Sequence, residues 1–492
     1  MTDVPRLLST QHPDNATLPF FTAGDVIEGE DEIQEAYYVA SHLGCDEQMW
    51  DFEGKEGDEY AVKKLLSRYD NFFADTRLGA DFRLTVRGPN PDVEASEAKV
   101  LLEILESIPR SFDAASVFAE EHGIETVPPI YEVIIPMVTD ADQINAVHEY
   151  YTTHVTGKAD EVVWGDRTIS DWVGDFRPDS VNVIPLIEQR DAMLRADEIV
   201  REYATAQGLD SVRVFLARSD PALNYGSLAA DLINKIALQR LYQTADEIDI
   251  DIHPMLGSGS APFRGNLTPD RAGAVAEAYA EVETFTIQSA FKYDYPVETV
   301  RDGLRTLQAA DLGSPPATID EERALSIIDR TADAYTAQVD AIAKPVNRLA
   351  AAVPDRRARK LHVGLFGYSR EVGENALPRA IGYTASLYSV GCPPTLLGVH
   401  ALDAADKTFI EDAFPTFFDN LRDAARYYNP RCTEVLPLSV DTLETATAMV
   451  DIEPNQEHRA ATDAAIDAFK RGDEDALRTA VRRGARERQF LG

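Results

Sequence analysis

Residues 181–226 read VNVIPLIEQRDAMLRADEIVREYATAQGLDSVRVFLARSDPALNYG. Two short apolar runs, 181–187 and 212–217, are rich in Val and Ile, and a segment of helical character, 191–207, separates them. Glu188 closes the first run and Asp220 follows the second. This is a strand–helix–strand unit with a carboxylate at the downstream end of each strand. In parallel α/β folds those downstream ends carry the chemistry. Two carboxylates on neighbouring strands can hold one hard divalent cation. Each acid can equally be the cap of a following helix, so the pair has to be read against the rest of the chain.

Outward from this unit the same rhythm recurs. Strand-like runs occupy 47–53, 82–87, 130–137, 181–188, 212–217, 248–253, 283–288 and 361–366. Between them, apolar residues step by three and four, as in Val100, Leu101, Ile104 and Leu105, or Leu228, Leu232, Ile233 and Ile236. Eight strands alternating with helices predict an α/β fold, a (β/α)8 TIM-type barrel with many additional helices. An open doubly wound sheet is the alternative. Runs 47–53 and 248–253 are the weakest strands because acids interrupt them. Residues 1–20 read as polar loop, and 314–358 and 402–492 as mostly helical. No Pro-, Gly- or Ser-rich linker divides the chain, so 1–492 is expected to be a single domain. Its barrel core would span about 47–398, with helical additions over about 399–492.

The charge balance is the unusual bulk property. Asp and Glu number 84 against 47 Lys and Arg, a formal net charge of −37. The acids are spread along the chain and Lys is the minority of the bases. Such a surface suits concentrated salt, which screens its self-repulsion, and is read here as halophilic adaptation. It disfavours nucleic acid and anionic membranes, both of which need a basic patch. No apolar run approaches the ~18 residues of a membrane span, and the start has no secretory core segment. Cys45, Cys392 and Cys432 are distant in sequence and odd in number, so they read as reduced thiols of a cytoplasmic protein.

A barrel would gather the residues that follow its strands: Glu53 with Lys55, Arg87, Glu188, Asp220, the loop 257–265, Gln288 with Lys292, and Arg370 with Arg379. Arginine binds planar and tetrahedral anions through two parallel N–H bonds. Several on one face of so acidic a protein suggest a small polyanion chelated to a divalent metal. The stretch LGSGSAPFRGN at 256–266 contains Gly257, Ser258, Gly259, Ser260 and Arg264, and its N–H groups could cradle an anion. It lacks the Gly-Lys-Ser/Thr ending of a nucleotide-phosphate loop. Taken singly, each arginine could be a surface ion pair, the loop a flexible turn, Gln288 a helix cap and Lys292 a solvated charge. His12, between Gln11 and Pro13, is a candidate proton acceptor. It could also be a turn histidine, and His253 competes for the role.

Together, STQHPDN (9–15), DEQMWDFEGKEGDEYAVKKLL (46–66), VIPLIEQRDAML (183–194), VFLARSDPALNYG (214–226), GSGSAPFRG (257–265), TIQSAFKYDYP (286–296) and GYSREVGENALPRAIGYTASLYSVGCPPTLLG (367–398) resemble archaeal-type phosphoenolpyruvate carboxylase. The motifs run in the family's order from residue 9 to about 398. The resemblance implies a barrel enzyme, usually a homotetramer, that joins phosphoenolpyruvate and bicarbonate into oxaloacetate and phosphate with Mg²⁺ or Mn²⁺. It implies a route through carboxyphosphate and a metal-stabilised enolate, serving anaplerotic carbon fixation. It gives Glu188 and Asp220 the metal, and His12 the proton of the carboxyphosphate intermediate. Arg87, Arg370 and Arg379 would hold phosphate and carboxylate, Arg264 bicarbonate, and Gln288 and Lys292 would line the barrel mouth. The larger form of the enzyme has a His-Gly-Arg-Gly-Gly loop where this chain reads LGSGSAPFRG, so that loop's histidine and first arginine have no counterpart here. A mobile lid is expected either in 257–265 or after Phe366. The competing readings are another enzyme of the phosphoenolpyruvate/pyruvate barrel superfamily, such as a lyase or mutase, and a non-catalytic barrel that senses a dicarboxylate.

Overall fold

In the computed structural model, which describes residues 4–358, 370–372 and 375–492, eight parallel strands close into a ring. They are β1 (Leu7–Ser9), β2 (Glu47–Asp51), β3 (Arg83–Arg87), β4 (Glu132–Ile135), β5 (Asn182–Ile187), β6 (Ser211–Ala217), β7 (Asp251–Gly257) and β8 (Thr284–Ile287). Each pairs with its successor, and Leu7 pairs with Phe285 to join β1 to β8. The expected barrel is therefore present and the open sheet is excluded.

Its closing strand is not the expected one. β1 lies in the stretch read as loop and ahead of the 47–398 core, and three residues are too few to show a period. The run 361–366, read as the last strand, lies outside the described residues, and the ring is complete without it. The run 248–253 is displaced as well. The helix Ser227–Ile248 extends through its start and ends at Asp249, whose φ of 56° stops the helix, so β7 begins at Asp251.

Side chains alternate across each strand, which sorts the barrel interior into layers. Leu8, Met49, Ile134, Ile184, Leu186, Phe215, Ala217 and Met255 form one apolar cluster. Below it, towards the strand starts, Arg213 donates to Glu47 at 2.8 Å and to Glu132 at 2.7 Å, and also to Thr284 Oγ1 at 3.3 Å. Above it lie Asp51 and Arg87 at the strand ends. The acids that weakened the sequence signal of β2 thus point inward: Glu47 into the lower charged layer and Asp51 towards the mouth. The outward-facing side chains, such as Val183, Ile187, Val214 and Leu216, pack against the surrounding helices.

The long helix Glu321–Ala350 runs beside Ser227–Ile248 and Ala380–Ser389. Tyr335 on it donates to Leu223 O at 3.0 Å and meets Tyr383 OH at 3.0 Å. The paired helices Gln456–Arg471 and Glu474–Arg488 then lean on Ala380–Ser389, which returns residues 490–492 to the barrel mouth. Cys392 and Cys432, distant in sequence, bring their buried thiols within hydrogen-bonding reach, and this neighbour together with burial pushes Cys392 well up. Among the described residues no helix is long and apolar enough to cross a membrane.

Candidate active site at the barrel mouth

A cavity of about 320 Å³ opens at the C-terminal ends of the strands. Seven strands supply its wall: His12 beyond β1, Glu53 beyond β2, Arg87 ending β3, Glu188 beyond β5, Asp220 beyond β6, Gly257 ending β7 and Gln288 beyond β8. Residues 353–357, 378–382 and Leu491 enclose it from outside.

Glu188 and Asp220 share this cavity. Their strands are hydrogen-bonded neighbours, with Leu186 opposite Phe215 and Ile187 opposite Leu216, and such strands lie about 4.8 Å apart. Both are hard oxygen donors. Among the described residues no group of three His, Cys, Asp or Glu gathers as a closed metal cage. Two carboxylates with room for ligand and water oxygens is how Mg²⁺ is commonly held, so this donor set fits a divalent cation that keeps exchangeable positions.

Arg87 and Arg264 are each held by acids of the protein itself. Arg87 donates Nε and Nη2 to the two Asp51 oxygens at 3.0 and 2.8 Å, and its Nη1 pairs with Glu53 at 3.0 Å. Burial works against its charge, yet Asp51 and Glu53 raise its pKa further above the ordinary range. Arg264 is buried and more fully engaged. Its Nε donates to Ser219 Oγ at 3.1 Å and its Nη1 to Gly492 O at 2.8 Å and Asp14 Oδ2 at 3.3 Å, while Nη2 donates to Gln288 Oε1 at 2.7 Å. With five N–H groups in all, four are used within the protein, and at most one on Nη2 remains for a ligand. Arg379 stands at the start of the helix Ala380–Ser389 and lines the cavity. Arg370 opens the short strand Arg370–Val372, paired antiparallel with Asn375–Leu377; its side chain falls outside the described residues.

His12 Nδ1 lies 2.8 Å from Thr10 Oγ1. Thr10 N donates to Ile287 O at 3.0 Å and His12 O accepts from Ser289 N at 3.3 Å, so the histidine turn is tied to the end of β8. His253 is elsewhere: it lies in the first half of β7 with Nδ1 2.9 Å from Glu283 Oε1, away from the strand ends.

The glycine- and serine-rich loop does not have the form expected of an anion cradle. Ser258 N donates to Leu256 O at 3.1 Å, Gly259 N to Arg264 O at 2.8 Å, and Ser260 N lies 3.5 Å from Asp14 Oδ2. Its successive N–H groups are engaged inside the protein, and Ser258 and Ser260 are buried. It forms a seat for Arg264. A Cβ on Gly259 would meet Arg264 Nη1 at 2.8 Å and Gln288 Oε1 at 3.1 Å, so a side chain there would have to displace that pair. The alternative lid after Phe366 lies largely outside the described residues. Lys292 is not at the cavity wall either. It is buried beneath it, donating to Glu35 at 2.9 Å, Thr10 O at 2.9 Å and Ser9 Oγ at 3.0 Å.

The sequence of this chain matches the phosphoenolpyruvate carboxylase family over residues 4–492. The chain belongs to that family. It is 77% identical over all 492 residues, and over the full length of both chains, to the phosphoenolpyruvate carboxylase of Halobacterium salinarum. To the phosphoenolpyruvate carboxylase of Methanospirillum hungatei it is 48% identical, covering 99% of this chain and 100% of that one, and to that of Pyrococcus abyssi 43%, with the same coverage. Among solved structures, an HpcH/HpaI aldolase from Desulfitobacterium hafniense is 15% identical, covers 62% of this chain and 93% of its own, and has a TM-score of 0.33.

This phosphoenolpyruvate carboxylase family member carries further residues at the mouth that motif reading did not single out. Asp14 sits inside the STQHPDN motif, accepts from Ala290 N at 2.7 Å and faces Arg264; burial pushes its pKa up while Arg264 and the N–H groups draw it down. Arg357 lines the cavity and grips Glu35 at 2.6 and 2.7 Å. Burial opposes the Glu35 charge, but Arg357 and Lys292 hold that carboxyl well below the ordinary range. Arg356 donates to the main-chain oxygens of Asn15 and Ala16 at 3.0 and 2.7 Å. Arg218 lines the cavity but is locked to Asp231, Ser227 and Phe263 O. Only the adjacent arginines and the acid of the histidine motif could have been noticed in sequence; their partners are set by the fold.

Proposed function

We propose that this chain is a phosphoenolpyruvate carboxylase, joining phosphoenolpyruvate and bicarbonate to give oxaloacetate and phosphate. The observation that carries the reading is the convergence of His12, Arg87, Glu188, Asp220, Arg264 and Arg379 on one cavity at the strand ends of the barrel, in a chain of this family.

Glu188 and Asp220 hold the divalent cation, Mg²⁺ or Mn²⁺. When bound, it supplies Lewis-acid neutralisation of oxygen charge. Arg87 and Arg379, with Arg370, bind the phosphate and carboxylate groups. Arg87 is pre-aimed by Asp51 and Glu53, so little reorganisation is needed when charge develops on the transferring group. Arg264 presents its remaining N–H to bicarbonate beside Gln288. A bicarbonate oxygen attacks phosphorus and the bond to the enol oxygen breaks, giving carboxyphosphate and the enolate. His12 takes the proton of carboxyphosphate, CO₂ departs from phosphate, and the enolate carbon bonds to it. Leu186, Phe215, Pro354, Pro378, Ile381 and Leu491 give the cavity apolar surface, which keeps water from protonating the enolate to pyruvate. Lys292 supports the site from below by holding Thr10. The glycine loop, Gly257 to Ser260, shapes the seat of Arg264.

Work in the cytoplasm, assembly as a homotetramer and an anaplerotic role belong to the same reading. Measuring oxaloacetate from phosphoenolpyruvate with labelled bicarbonate and Mg²⁺ tests it. Label in oxaloacetate is expected, and a bicarbonate-independent product would favour a lyase or mutase instead.

A further inference from the structure

The helix Glu474–Arg488 ends beside the cavity, and the group that holds its end has no part in the reaction. Gln489, with a φ of 60°, stops the helix and turns residues 490–492 inward. Phe490 packs with Ala261, Ala290 and Tyr388. Leu491 lines the cavity, and its N donates to Asp14 O at 2.6 Å. Gly492 O accepts from Arg264 Nη1 at 2.8 Å, one of the four bonds that fix this guanidinium. Residues 490–492 are therefore part of the mount of the arginine assigned to bicarbonate.

Arg488 grips that segment. It is 2% exposed. Its Nη2 donates to Leu491 O at 2.8 Å and its Nη1 lies 3.1 Å from His458 Nε2. The guanidinium also lies 5.4 Å from the ring centroid of Tyr388 and 5.3 Å from that of Phe490. A guanidinium can only donate, so His458 Nε2 accepts and the imidazole proton sits on Nδ1. Burial, and after it the Arg488 charge, hold His458 well below its ordinary range and keep it neutral. Among the described residues no carboxylate pairs with Arg488. A cation buried without a counter-charge is costly. Two of the four groups around it, Leu491 O and the Phe490 ring, belong to the segment that reaches Arg264.

We propose that Arg488 is a positioning residue for the bicarbonate site. By holding Leu491 O and Phe490 it keeps Gly492 O against Arg264 Nη1, and Arg264 then keeps its remaining N–H directed at the anion. The inference rests on the carboxylase reading for the identity of that anion, but the grip itself is a property of the folded chain.

The test compares wild type with Arg488→Gln and Arg488→Lys at high KCl and saturating Mg²⁺. In Arg488→Gln the KM for bicarbonate should rise about tenfold, the usual worth of one buried hydrogen bond, while the KM for phosphoenolpyruvate stays as in wild type. Arg488→Lys keeps the charge and a donor for Leu491 O and should recover most of the loss. A bicarbonate KM that does not change, or a rise matched by the KM for phosphoenolpyruvate, would overturn the proposal, because a merely structural role has no reason to single out bicarbonate. Hydrogen exchange at the Leu491 amide, followed by mass spectrometry, reads the grip without turnover. The amide should be protected in wild type, exchange faster in Arg488→Gln and regain protection in Arg488→Lys; equal protection in all three overturns the proposal. If Arg488→Gln does not fold, Leu491→Pro replaces it, since it removes the N–H to Asp14 O and loosens the same segment. The same rise confined to bicarbonate is expected, and an unchanged bicarbonate KM overturns the proposal. The exchange arm also separates the two failures, because a chain whose Leu491 amide is released by Arg488→Gln, yet whose wild type forms no oxaloacetate, defeats only the carboxylase reading.

Discussion

Thr10 Oγ1 lies 2.8 Å from His12 Nδ1, and Thr10 is itself pinned by Ile287 O on one side and by the Lys292 ammonium on the other. Nδ1 is thereby turned towards protein, which leaves Nε2 for the proton exchange proposed for this histidine. His12→Asn should lower kcat by about 10²–10⁴-fold, the usual worth of a general acid–base group. Thr10→Val should lower kcat less and shift its pH profile, while Thr10→Ser retains both. Full activity in His12→Asn would remove the histidine from the mechanism.

Glu188→Gln and Asp220→Asn should each weaken Mn²⁺ binding, read by water-proton relaxation or calorimetry. Losing a direct ligand should cost more than the about 10–100-fold that follows loss of an outer partner. The circular dichroism spectrum should stay unchanged. Unaltered Mn²⁺ affinity in either variant would take that carboxylate out of the metal site.

Arg213 lies far from the chemistry and bears on stability. It neutralises Glu47 and Glu132 inside the barrel. Arg213→Met strands two buried carboxyls and should destabilise the fold by about 3–5 kcal/mol in urea titrations. Arg83 Nη1 lies 3.9 Å from Glu132 Oε2, so replacing Arg213, Glu47 and Glu132 by apolar residues of similar volume should recover most of that loss only when Arg83 is replaced with them, because the desolvated charges then leave together.

The net charge of −37 predicts a steep salt dependence. The screening length falls from about 10 Å at 0.1 M to about 3 Å at 1 M salt, and surface self-repulsion falls with it. The melting temperature should rise continuously with KCl into the molar range. A melting temperature independent of KCl would sink the halophilic reading.

The large outlines were visible in the amino-acid order because they rest on local pattern. Runs of Val and Ile, one closed by Glu188 and the other followed by Asp220, announce strands with an acid near each downstream end. β1 was not visible: Leu7, Leu8 and Ser9 are too few for a period, and what makes them a strand is Phe285, far along the chain. The acids in β2 looked like interruptions because their counter-charges, Arg213 and Arg87, come from other strands. The serine–glycine loop looked like an anion cradle because composition does not say where N–H groups point. There they point to Leu256 O, Arg264 O and Asp14. Arg357 gains its meaning only from its buried partner Glu35.

The pairing of Leu7 with Phe285 also constrains how the molecule is made. Leu7–Ser9 leaves the ribosome long before Thr284–Ile287, so the nascent sheet grows with two unsealed borders while most of the chain is still being translated. Unpaired strand borders recruit other strands, and slow long-range pairing prolongs that exposure. Biogenesis of this enzyme is therefore most vulnerable just before the eighth strand emerges, when a sheet of seven strands waits for the one that seals it.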